Sequence, residues 1–252
     1  MKNQATINTG WKFFQPVFGN GLMEGDMRLE ELNWMDVENY LKQDDRIILI
    51  IGACEQHGYL SLLTDIKIPQ ALADAASQQT SVLIAPPLNF GVSPYFLHYP
   101  GTISLRVSTF IDVLEDMVRS LYGYGFRRML VLNGHGGNHA GNSKLTELAN
   151  GLPGLKLAWY EWWDATSVTA VALKHGLRSN HAAWIEAFPF TRVAELPEGE
   201  KKPAEFKGVL NAEQARLVYG DGVFGGPYQA DDAVMNEIFA AALKDVLFEL
   251  EF

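Results

Sequence analysis

The sequence predicts an α/β fold around a mostly parallel sheet, and three observations carry that reading. Short apolar runs of strand length alternate with longer segments of helical periodicity from about residue 28 to the end. The runs are continuously apolar, as strands covered on both faces by helices must be. The chain has 252 residues and is 48% apolar, enough to bury one full core, so a single domain is expected.

Taken in order, residues 1–27 contain Trp11, Phe13, Phe14 and Phe18 without periodicity. They read as an N-terminal arm lying on the body or on a neighbouring subunit, because such a set is unfavourable in water. From Leu29 the pattern LEELNWMDVENYLKQ has helical spacing, and RIILIIGA (46–53) is the first strand. IPQALADAASQQ (68–79) reads as a helix and SVLIAPPLNFG (81–91) as a strand. TFIDVLEDMVRSLYGYG (109–125) is an amphipathic helix closed by glycine, followed by the strand RRMLVLNGHGG (127–137). Residues 139–150 suit a helix, and LKLAWYEWWD (155–164) gives a fourth strand. The region 175–230 is richer in Gly, Pro and charge, with EGEKKPAEFKG an exposed loop, and residues 231–252 form a long closing helix.

Charge and composition exclude several partners. A formal charge of −10 repels phosphate backbones and anionic lipid surfaces, and no Lys/Arg cluster stands out beyond short pairs such as Lys201–Lys202. No run reaches the ~18 apolar residues needed to span a bilayer, and the N-terminus lacks the apolar core of a secretion signal. A cytoplasmic protein acting on a small molecule is the expectation. The lone Cys54 cannot form an intrachain disulfide and reads as a packed small residue at a strand end.

The chemistry concentrates just past the ends of the apolar strands, where open parallel sheets bind ligands. Glu55 and His57 in ACEQHG are two apart, so an extended backbone points both to one side. Asp65 follows in LLTD, His135 sits in NGHGGN, and Glu186 ends HAAWIE. Imidazole and carboxylate together hold Zn, Mn or Fe while leaving a position open for water. In NGHGGN the glycines allow close backbone approach, and the amides of Gly136 and Gly137 can stabilise an oxyanion. A phosphate loop is the competing reading of this turn, but the P-loop Lys and Ser/Thr and the G-x-G-x-x-G spacing are missing.

These motifs resemble the creatininase (creatinine amidohydrolase) family, which carries E-x-H-G, a following T-D, and N-G-H-G-G-N or a related turn after a strand. YPGTISL (99–105) and GVFGGPYQA (222–230) extend the likeness over most of residues 28–252, which would form the metallohydrolase domain. The resemblance implies a three-layer α/β/α fold, two divalent metal ions per chain, hydrolysis of amide-type C–N bonds and a homo-oligomer, often a hexamer. Carried over by motif, Glu55 and His135 bind one metal, His57 and Glu186 the other, and Asp65 bridges them. Creatininase itself takes a glutamate two residues after the histidine of the Gly-rich turn; that place is Gly137 here, and Glu186 is expected to replace it. His181, which the resemblance makes catalytic, would move a proton to the leaving group.

Departures from the pattern bear on the substrate. The family's H-G-P-H-L-P-L-G-T-D is the shorter HGYLSLLTD without a second histidine, S-x-E-H is replaced by Ser93-Pro94-Tyr95-Phe96, and the acidic residue before the catalytic histidine is Asn180. These changes point away from creatinine itself. Trp159, Trp184 and Tyr95 could enclose a flat or cyclic substrate, with core packing the alternative for the tryptophans. His98 and His175 read as structural, and His139 as a surface or helix-start residue. The expected reaction is attack of a metal-bridging hydroxide on an amide carbonyl of a compact substrate. Opening of a cyclic polyol ketone or lactone-like ring, or ligand binding without catalysis, are the alternatives.

Overall fold

The computed structural model describes residues 27–252, so of the arm expected over 1–27 all but Met27 lies outside the described residues. The four main strands are β1 (Arg46–Ile51), β2 (Leu83–Ile84), β3 (Arg128–Asn133) and β4 (Lys156–Glu161). They form one parallel sheet in the order β2-β1-β3-β4. The helices are α1 (Trp34–Tyr40), α2 (Thr64–Thr80), α3 (Val107–Tyr124), α4 (Ala140–Gly151), α5 (Thr166–Lys174), α6 (Ala212–Tyr219) and α7 (Asp232–Glu249).

The side-chain period of two along the strands divides the core into two layers. Ile48, Ile50, Leu130 and Leu132 face α2, α5 and α7, where Ile68, Leu72, Val168, Met235 and Ile238 pack against them. Ile47, Leu49, Met129 and Val131 face α3 and α4, meeting Phe110, Leu114, Val118, Leu145 and Leu148. Both faces being covered is why RIILII is apolar at five successive positions, all five fully buried. The result is the expected three-layer α/β/α sandwich in one domain.

Several boundaries differ from the sequence reading, each for a local reason. The helix expected from Leu29 is a single 3-10 turn (Leu29–Glu31) followed by α1, because Asn33 caps the new helix and forms a reciprocal capping box with Asp36. The second strand shrinks to Leu83–Ile84 plus an isolated bridge at Leu88, since Pro86 and Pro87 have no amide hydrogen for the ladder. Helix α2 begins four residues earlier than expected, at Thr64, which brings Asp65 into its first turn. Within 175–230 the chain adds α6, with an Asn211/Gln214 capping box, and a two-residue antiparallel pair, β5 (Glu200–Lys201) with β6 (Gly226–Pro227). No helix among the described residues is long and apolar enough to cross a membrane.

Candidate metal centre

The segments leaving the carboxyl ends of β1 and β3, the first turn of α2, and the 3-10 turn Trp184–Glu186 meet at one point. They deliver Glu55, His57, Asp65, His135 and Glu186, all buried. Two triads share Asp65: Glu55, Asp65 and His135, and His57, Asp65 and Glu186, with the ligand-type atoms of each triad within 4.8 Å of one another. His135 Nδ1 lies 3.0 Å from Asp65 Oδ2 and 3.4 Å from Glu55 Oε1. His57 Nε2 lies 2.9 Å from Asp65 Oδ1 and 3.8 Å from Glu186 Oε1. The structure thus brings the five residues together, in two groups that have Asp65 in common.

The histidines are oriented for coordination by their other nitrogens. His57 Nδ1 is 3.2 Å from the Glu55 carbonyl, and His135 Nε2 is 2.9 Å from the Val92 carbonyl. Donation to a carbonyl fixes the hydrogen on that nitrogen and leaves His57 Nε2 and His135 Nδ1 with lone pairs facing the carboxylates. Glu186 is held by the Ala182 amide, which donates to Oε2 at 2.6 Å, leaving Oε1 toward His57. Gly137 cannot carry the family's glutamate in this turn. A Cβ there would stand 2.0 Å from the Val92 carbonyl oxygen and 2.4 Å from His135 Nε2.

The electrostatics call for a cation. Both carboxylate oxygens of Glu55, Asp65 Oδ2 and His57 Nε2 are buried with no hydrogen-bond partner, an arrangement that is costly unless positive charge completes it. Burial opposes the charged ring of His57, yet the charges of Asp65, Glu186 and Glu55 raise its pKa to about 10. His135 is likewise driven up, against burial, by Glu55 and Asp65. Burial also resists ionisation of Asp65, but His57 and His135 hold its carboxyl below the usual range, while burial pushes Glu186 up. Without a metal the cluster gathers protons; two neutral imidazoles and three carboxylates form a donor set suited to Zn, Mn or Fe.

His181 stands at the edge of this cluster, its Nδ1 3.8 Å from Glu55 Oε1. Phe96 stacks on its ring at 4.7 Å between centroids and Phe224 tilts against it at 4.8 Å. Their burial of the ring, with His57 nearby, lowers its pKa to about 4. Tyr95 extends this aromatic wall through Phe96, Tyr219 and Phe224. Gly136 and Gly137 are exposed beside His135.

The two tryptophans singled out earlier lie elsewhere. Trp184 is fully buried in the core, its Nε1 donating to the Arg178 carbonyl, and Trp159 is half-buried with Nε1 on Glu161. Phe96 belongs to the segment that replaces the family's S-x-E-H, whereas Phe224 went unnoticed in the sequence although it lies inside GVFGGPYQA. Glu161 was also passed over; it ends β4 and accepts from Asn133, whose side chain spans the backbone of His135. Cys54 is half-buried with its thiol on the Gly101 carbonyl and its pKa raised by burial, which suits a packing residue. A cleft of about 360 Å³ lined by Tyr40, Asp44, Ser81 and Leu83 lies at the opposite, amino end of the sheet, away from all of this chemistry.

Residues 30–249 match the sequence model of a family described as Creatininase: Creatinine amidohydrolase. Creatinine amidohydrolase of Pseudomonas putida is 28% identical over 154 residues, 56% of this chain and 59% of that protein. The 3-dehydro-scyllo-inosose hydrolase of Thermotoga maritima is 30% identical over 109 residues, 42% of this chain and 35% of that protein. The chain therefore spans less than two thirds of the length of these curated relatives. A creatininase variant described as Zn-Zn type superposes with a TM-score of 0.76 over 89% of this chain and 96% of its own, at 22% identity. A creatininase described with Mn gives 0.68 over 90% and 100%, at 19% identity. At those identities the likeness is one of fold. With the family model running from the first turn of the described residues to the end of α7, the chain belongs to the creatininase family.

Proposed function

We propose that the protein is a dinuclear metallohydrolase that cleaves an amide-type C–N bond in a small, compact or cyclic substrate. The observation that carries this reading is the pair of buried triads sharing Asp65. Glu55 and His135 would hold one ion, His57 and Glu186 the other, with Asp65 common to both. Two divalent ions, Zn, Mn or Fe, would supply a water activated near neutral pH and polarisation of the carbonyl oxygen. The chain's own residues do the rest. Tyr95, Phe96 and Phe224 form an apolar wall that excludes bulk water, and the exposed backbone of Gly136 and Gly137 leaves room for substrate and offers amide donors. His181 is the catalytic side chain, facing the reacting group from the edge of the centre.

A second reading, opening of a cyclic polyol ketone, is favoured by the 30% identity to the 3-dehydro-scyllo-inosose hydrolase. The apolar wall around His181 suits a less hydroxylated ring, which places the amide reading first. The small-molecule substrate, a cytoplasmic location and a homo-oligomer built partly by residues 1–27, with residues 28–252 as the catalytic domain, complete the proposal.

Reconstitution with Zn, Mn or Fe followed by elemental analysis should give close to two ions per chain. Trace metal alone would reject the dinuclear centre. The loaded protein, screened against cyclic amides, formamides, lactones and cyclic polyol ketones, should turn over an amide; ring-ketone opening alone would favour the second reading, and full metal with no turnover would favour a binding role.

A further inference from the structure

We infer that Gln56 fixes the tautomer of His181, holding the ring's Nε2 as an acceptor and placing the hydrogen of the neutral imidazole on Nδ1, toward the metal centre. Gln56 lies between Glu55 and His57, and its side-chain amide cannot choose its own orientation. The Gly58 amide donates to Gln56 Oε1 at 3.0 Å, and Gln56 Nε2 donates to the Gly222 carbonyl at 3.0 Å. Flipping the amide would set oxygen against the Gly222 carbonyl and NH₂ against the Gly58 N–H, two repulsive contacts in a buried place. The position is also enclosed: at Gly222, φ is +96° and a Cβ would stand 1.7 Å from Gln56 Oε1.

With that orientation fixed, the second hydrogen of Gln56 Nε2 points at His181 Nε2, 2.9 Å away. A donor facing a ring nitrogen at that distance requires a lone pair on the nitrogen. The alternative partner of Nε2, the main-chain carbonyl of Gln56, is more distant at 3.3 Å and would need a hydrogen directed into the same crowded space. The neutral ring therefore carries its hydrogen on Nδ1, the atom 3.8 Å from Glu55 Oε1.

Two consequences follow for the centre. Although Glu55, His57 and His181 are close enough to hold an ion, Nδ1 has no lone pair to offer, so His181 is not a ligand. Nor is it the proton shuttle expected from the sequence: with Nε2 accepting from the Gln56 side-chain amide, losing the Nδ1 hydrogen would leave an imidazolate. His181 acts instead as a neutral hydrogen-bond donor to the oxygen on which charge develops, and Gln56 is its positioning residue. This role rests on the amidohydrolase reading; the tautomer does not.

The test is solid-state ¹⁵N NMR of the full-length, zinc-loaded protein labelled at its six histidines, with the His181 signals assigned by their loss in His181→Asn. The wild type should show a pyridine-type Nε2 and a pyrrole-type Nδ1 at His181. In Gln56→Glu the carboxylate becomes an acceptor and Nε2 should change to pyrrole type. In Gln56→Met, which introduces no charge and keeps the length, the Nε2–H form should appear, donating to the residue 56 carbonyl. Zinc content should be the same in all three. A pyrrole-type Nε2 in the wild type, or an unchanged tautomer in the Met variant, would overturn the inference. Absence of turnover on every amide would count against the proposed reaction while leaving the NMR result standing.

Discussion

The two ends of the parallel sheet both gather charged residues, and they resolve them in opposite ways. At the amino end, Asp44 accepts from the Arg46 guanidinium at 2.6 Å and from Arg128 at 3.2 Å, while Arg128 also pairs with Asp45. Arg46 reaches the Leu250 carbonyl and Tyr40 donates to the Arg46 carbonyl. Asp44, Asp45, Arg46 and Arg128 each have a partner of opposite sign. At the carboxyl end three buried carboxylates face two histidines, with four side-chain atoms unpartnered. A closed set of ion pairs clamps strands; an open one asks for something the chain does not contain.

The sharpest way to break the comparison is to remove one carboxylate from each end. Asp65→Ala should cost both ions, because the residue belongs to both triads, and activity should fall to background; His57→Ala should chiefly empty one site. Asp44→Ala should leave metal content unchanged and cost about 1–3 kcal/mol of stability, the scale for leaving a partly buried partner unsatisfied. Elemental analysis and thermal melts on the same preparations separate the two effects. Metal retained in Asp65→Ala would take that residue out of the centre.

Next in size is the edge of the centre. His181→Ala should keep both ions while turnover drops by roughly 10²–10³, the scale for losing one preorganised donor to a developing oxyanion. Loss of metal instead would make His181 a ligand. Glu186 invites the same comparison, with metal occupancy expected to fall in Glu186→Ala.

How far these residues could be read in advance depended on how local their signals are. The strand-end positions of Glu55, His57 and His135 follow from apolar runs and were legible, as was the sandwich, because burial on both faces writes itself into composition. Gln56 was not, although it sits between two residues that were. Its role depends on Gly222, a residue 166 positions away whose carbonyl orients the amide, and no local pattern encodes that distance. Trp184 failed in the other direction: a large aromatic near a motif looks like a pocket wall, and the fold used it to fill the core. Helix α6 is eight residues long, too short for periodicity to mark, though its Asn211…Gln214 capping pair is a readable start.

The comparison also has a pH form. In protein stripped of metal, His57 has a pKa of about 10 against an ordinary 6.5, and His135 is raised as well. A base whose folded pKa lies above its unfolded one contributes stability that is whole below pH 6.5 and is lost as pH rises toward 10. The melting temperature of metal-free protein should therefore fall between pH 6.5 and 9, while that of the zinc-loaded form stays nearly level because ions replace the protons. At the amino end, Arg46 holds Asp44 below the usual carboxylate range despite burial, and Asp44 raises Arg46, so neither titrates in this window. Parallel melting curves for the two forms would mean that the carboxyl end has no need of a cation.

The smallest expected effect compares backbone strain at the two ends. Ser81, following α2 at the amino end, and Ala182, beside Glu186 at the carboxyl end, are the two non-glycine residues with left-handed φ among the described residues, at 56° and 58°. That conformation costs an L-residue about 1–2 kcal/mol, partly offset on substitution by the greater unfolded-state entropy of glycine. Ser81→Gly should thus raise stability by up to about 1 kcal/mol with metal affinity untouched, because its αL geometry only ends a helix. Ala182→Gly should give a similar or smaller gain but weaken metal binding, since the Ala182 amide that donates to Glu186 Oε2 would ride on a looser backbone. Melts and zinc titrations of the two variants side by side decide the matter: equal zinc affinity in both would show that the strain at Ala182 does nothing to hold Glu186 in place.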